Sequence, residues 1–78
     1  MWTALSKIPL LSALKVIKTL SAFGYEPIRR TGSHIHLLHP ETKRLVTVQN
    51  HPGIAIGTLI SILIQADIER KDFLSHLK

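Results

Sequence analysis

The stretch TGSHIHLLHP, Thr31 to Pro40, carries three of the chain's five histidines within six residues, directly after a Gly-Ser pair. It sets Ile35 and Leu37 against His34, His36 and Leu38, the period-2 pattern of a strand with one face on a core. Gly32-Ser33 before it and Pro40 after it read as turns. The same period puts His34 and His36 on one face and His39 on the other, unless the strand ends or bends at Pro40.

Neighbouring segments extend this strand into a sheet. Upstream, YEPIRR (25–30) is extended, and Pro27 places it at an edge. Downstream, PETKR (40–44) turns, and RLVTVQ (44–49) alternates Leu45, Thr47 and Gln49 against Val46 and Val48. Strands this close in sequence pair as an antiparallel meander. Before them, LSALKVIKTLSAFG (11–24) has helical spacing in Leu14, Ile17 and Leu20, with Val16 and Phe23 widening the stripe and Lys15 and Lys18 opposite. Ser12 is placed to cap it, Pro9 is a candidate for an earlier first turn, and Gly24 ends it.

After the sheet, NHPGIAI (50–56) is a loop. Gly57-Thr58 opens a second helix, TLISILIQA, with Leu59, Ile62, Leu63 and Ala66 on its core face. Ile60 and Ile64 broaden that face, so the helix is expected to be well buried. Asp67 is placed to cap a short terminal helix, IERKDFLSHLK, anchored by Ile68, Phe73 and Leu77. The fold class is α+β: helix, three antiparallel strands, helix, then a short C-terminal helix, in a single domain over 1–78. This much helix covers one face of the sheet. Ile35 and Leu37 should face the helices, leaving His34 and His36 on the open face.

Composition narrows the function classes. The 78 residues contain no cysteine, which excludes disulfide staples and thiolate metal sites and fits a cytoplasmic protein. The longest apolar run, GIAIGTLISILI (53–64), is twelve residues, short of the roughly 20 that span a bilayer. IPLLSAL (8–14) lacks a cleavage site and runs straight into Lys15 and Lys18, unlike a signal peptide. Trp2 is expected to be a partly buried aromatic. The net charge is +5. Lys7, Lys15, Lys18, Arg29, Arg30, Lys43 and Arg44 face only Glu26 and Glu41 in the first 44 residues, and the remainder balances. A one-sided cationic field of this kind suits a polyanion, most often nucleic acid.

The histidines admit three readings. As metal ligands, His34, His36 and His39 lack a shared face and an interleaved carboxylate, so no metal is expected. As strand residues without a task, two imidazoles on a solvated face are ordinary. As a catalytic group, His34 beside a basic surface would move a proton, since imidazole changes charge near neutral pH. RNA brings its own 2′-hydroxyl nucleophile, and the Gly32-Ser33 amides with Arg29, Arg30, Lys43 or Arg44 would neutralise the phosphate.

The chain resembles the HicA-type mRNA interferase toxins from about Leu14 to Ile68. LSAFGYE resembles the family's helix end followed by Gly and an aromatic. TGSHIHLLHP resembles its Gly-Ser-His, strand and His-Pro. RLVTVQNHP resembles its third strand and loop histidine, and GTLISILIQADI its second helix. The resemblance implies a double-stranded-RNA-binding-domain-like fold, a toxin of a type II toxin–antitoxin system, and an endoribonuclease that cleaves mRNA with His34 as catalytic residue and no cofactor. It implies a cognate HicB-type antitoxin as protein partner. RNA contacts are expected at Arg29, Arg30, Gly32, Ser33, Lys43, Arg44, Gly57 and Thr58, and His51 is expected to be structural. Where the family commonly carries basic residues around the start of the second helix, this chain has Ile56 and Ile60. That departure favours the alternative, a non-catalytic RNA-binding module or degenerate toxin acting mainly through a protein partner.

Overall fold

Ser12 starts helix α1 (Ala13–Ser21): its Oγ accepts from the Lys15 amide at 3.2 Å, filling one of the donors that a helix start leaves open. Gly24, at φ 95°, stops the chain just past the helix. There its amide reaches Ser21 O at 3.1 Å and the Tyr25 amide reaches Leu20 O at 3.2 Å, the paired bonds of a Schellman stop. These details come from a computed structural model that describes residues 11–77. Pro9, Trp2 and Lys7, and the expectations attached to them, lie outside the described residues.

The buried face of α1 differs from the expected stripe. Ala13, Val16, Thr19 and Leu20 are buried, whereas Leu14 is 70% exposed. Thr19 can take a core position because its hydroxyl donates to Lys15 O at 2.9 Å, one turn back, so no polar atom is stranded. Hydrophobicity alone ranked Leu14 above Thr19. Local hydrogen bonding reversed the order.

The sheet is a meander in the order β1–β2–β3, built from β1 (Glu26–Thr31), β2 (His34–Leu38) and β3 (Leu45–Gln49). Every neighbouring pair is antiparallel. Ile35 and Leu37 of β2 stand opposite Val48 and Val46 of β3, and this row faces the helices. A bulge at Ile28, between Pro27 and Arg29, shifts the register of β1 on β2. All six residues of β1 are exposed, as suits an edge strand containing proline.

Helix α2 (Ile56–Ala66) buries Leu59, Ile62, Leu63 and Ala66, the face its spacing predicts. Ile60 is only half-buried and Ile64 is 73% exposed, so the helix is less enclosed than expected. The sheet and the short helix that follows leave its outer side in solvent. Asp67 does not cap the terminal helix. It adopts the left-handed conformation (φ 58°) as the stop of α2, with the Ile68 amide bonded to Leu63 O at 3.0 Å. Helix α3 (Arg70–Ser75) starts at Glu69 without a side-chain cap. Its packing comes from fully buried Phe73, with Ile68 and Leu77 against the same core. The core joins Val16 and Leu20, the Leu37–Val46–Val48 row, the inner face of α2 and Phe73. No helix among the described residues is long and apolar enough to cross a membrane.

Candidate functional site

The uncovered face of the sheet is the candidate site, and the β1–β2 turn organises one end of it. Of the two turn residues only Gly32 has positive φ (59°), the pattern of a type II′ hairpin with glycine first. The Asn50 amide donates to Ser33 O at 2.6 Å, which ties the turn to the end of β3. His34, first in β2, is therefore fixed in position and exposed, with Thr31 opposite on β1 and Gln49 opposite on β3. Arg30 lies back over the turn, its Nε donating to Gly32 O at 3.2 Å.

One pair further along, His36 has Arg29 opposite on β1 and Thr47 opposite on β3. Its half-buried ring lies between two hydroxyls, Nδ1 at 3.1 Å from Thr47 Oγ1 and Nε2 at 3.3 Å from Thr31 Oγ1. The pair after that is Leu38 and Leu45, the latter exposed. The face thus grades from polar and cationic at the hairpin end to apolar at the other.

Lys43 and Arg44 are not brought to His34. They close the β2–β3 turn, where Lys43 has φ 64° and its amide reaches His39 O at 2.8 Å. The five-residue strands put that turn roughly 17 Å from the hairpin end. Arg44 Nη2 pairs with Asp67 Oδ2 at 3.7 Å, a solvent-exposed bridge on the helix side.

His39 lies on the side away from His34 and His36, as the period requires. Its Nδ1 accepts from the Glu41 and Thr42 amides, each at 3.3 Å, and its ring meets Tyr25 edge-on at 5.2 Å between centroids. A Cβ on Gly24 would lie 2.7 Å from its Nε2, so the glycine is needed for this close approach as well as for its φ. Tyr25 donates its hydroxyl proton to Ala66 O at 2.7 Å. Burial pushes its phenol above the ordinary value, with Arg44 opposing the shift and Asp67 adding to it. Tyr25, His39, Thr42, Arg44, Ala66 and Asp67 line a cleft of about 180 Å³. Sequence reasoning did not find this cluster, although its parts, Gly24-Tyr25 and His39-Pro40, stood out as motifs. Among the described residues, no three His, Asp or Glu side chains are grouped to hold a metal ion.

At the hairpin end, the His51 carbonyl accepts from the Ala13 amide at 2.9 Å and so helps to cap α1. Its side chain is exposed and lines a groove with Gln49, Ile54 and Thr58. Gln49 is the cross-strand partner of His34, so this groove joins the hairpin end of the sheet to the start of α2. Gly57 and Thr58 are exposed in the first turn of α2, and Ala55 offers no side-chain cap. The first amides of that helix thus face outward, the arrangement that receives phosphate oxygens. Ile56 is half-buried against the core, which explains an apolar residue there. The structure gathers Arg29, Arg30, Gly32, Ser33 and His34 at one end of the sheet, with Gly57 and Thr58 across the groove.

No curated protein matches the chain. A family profile described as HicA toxin of bacterial toxin–antitoxin matches residues 14–68, which include all but the first residue of α1, all three strands and α2. With the α+β order, the Gly32-Ser33-His34 hairpin and the packed Gly24-Tyr25 and His39-Pro40 pairs already in place, that match makes the chain a member of the HicA toxin family of toxin–antitoxin systems.

Proposed function

We propose that the protein is an endoribonuclease that cleaves mRNA on the open face of its sheet, with His34 transferring a proton. One observation carries the reading: an exposed imidazole at a hairpin end, on the same face as Arg29, with Arg30 folded back over the adjoining turn. RNA supplies the nucleophile, its 2′-hydroxyl, so the protein has to position the phosphate, move protons and neutralise charge. Arg29, Arg30 and the Gly32-Ser33 turn hold the scissile phosphate, and the Gly57-Thr58 end of α2 receives a neighbouring one. Lys43 and Arg44 contact only an RNA long enough to run the length of the sheet.

A HicB-type antitoxin inhibits by covering this face, and the apolar Leu38–Leu45 end provides it with contact area. The test replaces His34 with Ala. RNA cleavage and growth arrest should both disappear while the circular dichroism spectrum and thermal midpoint stay as in the parent. Unchanged RNA cleavage by His34→Ala would refute the proposal.

A second reading, an RNA-binding module without chemistry, is favoured by Ile56 and Ile60, which leave the start of α2 without side-chain cations. It predicts salt-sensitive RNA binding and no cleavage product at any enzyme concentration.

A further inference from the structure

His36 follows His34 by two residues on one strand, so both rings leave the same face, about 6–7 Å apart along β2. His36 is the better held of the two. Thr47 and Thr31 grip its two nitrogens from opposite sides, at 3.1 and 3.3 Å. A hydroxyl can accept as well as donate, so both contacts persist when the ring carries two N–H groups. The longer contact, from Nε2, runs diagonally toward Thr31, and Thr31 stands directly opposite His34. Nε2 is therefore directed toward the hairpin end of the open face, the space beside His34. Arg29, opposite His36, brings a permanent cation to the same space.

We infer that His36 is a second catalytic residue, the general acid that protonates the leaving group, while His34 is the general base. This rests on the nuclease reading above. His34 takes the proton of the ribose 2′-hydroxyl as that oxygen forms its bond to phosphorus. The bond from phosphorus to the 5′-oxygen breaks, its electron pair stays on that oxygen, and the oxygen takes the Nε2 proton of His36. The products are a 2′,3′-cyclic phosphate and a 5′-hydroxyl. His34 ends protonated and His36 neutral, and exchange with water resets both. Arg29 neutralises the non-bridging oxygens, and Thr47 keeps the ring oriented through Nδ1 after the Thr31 contact gives way to substrate. Proton transfer at each end needs a heavy-atom separation of only about 2.6–3.2 Å. Two imidazoles spaced along one strand can meet that requirement on either side of a phosphate.

The experiment compares His36→Gln and His34→Ala on two oligoribonucleotides, one ordinary and one with sulfur in place of the bridging 5′-oxygen. A thiolate leaves without being protonated, so it dispenses with the acid and not with the base. His36→Gln should slow the ordinary substrate about 10²–10⁴-fold, the usual worth of one acid–base group. It should cleave the sulfur substrate within roughly tenfold of the parent rate, whereas His34→Ala should fail on both. If His36→Gln cleaves the ordinary substrate at the parent rate, the inference is overturned and the His34 reading stands. If it is slowed equally on both substrates, His36 only positions. If the parent protein cleaves neither substrate, the nuclease reading fails as well. An unchanged circular dichroism spectrum for His36→Gln keeps a folding defect from imitating either result.

Discussion

Gly24 carries two constraints in one residue. Its φ of 95° suits no L side chain, and the imidazole of His39 occupies the space where a Cβ would go. Gly24→Ala should therefore cost at least the roughly 1–2 kcal/mol of a left-handed alanine, read as a lower urea midpoint. His39→Ala should recover part of that loss in the double variant, because it removes the clash and not the backbone strain. Tyr25 gives a pH signature. Its phenol is raised in the folded state, so above pH about 10 the unfolded chain gives up that proton first. The folded state then binds more protons than the unfolded one, and stability falls as pH rises through the folded value. Tyr25→Phe should cost about 1 kcal/mol at neutral pH by removing the bond to Ala66 O. It should also flatten the alkaline decline, as urea titrations at pH 8 and above 10 would show.

Among the elements, helices α1 and α3 depend on different things. Helix α1 relies on its Ser12 cap, and Ser12→Ala should cost about 1 kcal/mol. Helix α3, only six residues long, depends on fully buried Phe73. Phe73→Ala should cost about 3–5 kcal/mol and detach the helix, visible as amide exchange along 70–75. Strands and register faces were legible in the sequence because a period of two permits only two placements, and valines or isoleucines settle which one faces inward. Helix faces were harder to read. A 3.6 period tolerates a small rotation, and the Thr19 bond to Lys15 O shifted the core stripe of α1 away from Leu14. Asp67 was misplaced for a related reason. Its type suits a helix start, but its left-handed backbone serves as a stop. At the candidate site, His34 and its turn could be read from adjacent residues. The grip of Thr31 and Thr47 on His36 could not, since it spans three strands and depends on a register that the β1 bulge resets.

The molecule as a whole separates its jobs by face. Helices and core lie on one side of the sheet, and the open side carries Arg29, His34 and His36 without burying them deeply. If this face takes RNA as proposed, its affinity should fall with salt. Arg29→Ala should weaken every RNA similarly and reduce the slope of log K against log salt by about 0.7, one single-strand phosphate contact. Lys43→Ala with Arg44→Ala should matter for long oligonucleotides and not for short ones, because their turn lies at the far end of the sheet. Strand β1 supplies much of this surface while contributing no buried side chain. It is secured at its margins, by Tyr25 against α2 just before it and by the hairpin turn just after it. Mutation along β1 is accordingly almost free of folding penalty, so a loss seen on substituting Arg29, Arg30 or Thr31 would report on the open face itself and not on the scaffold beneath it.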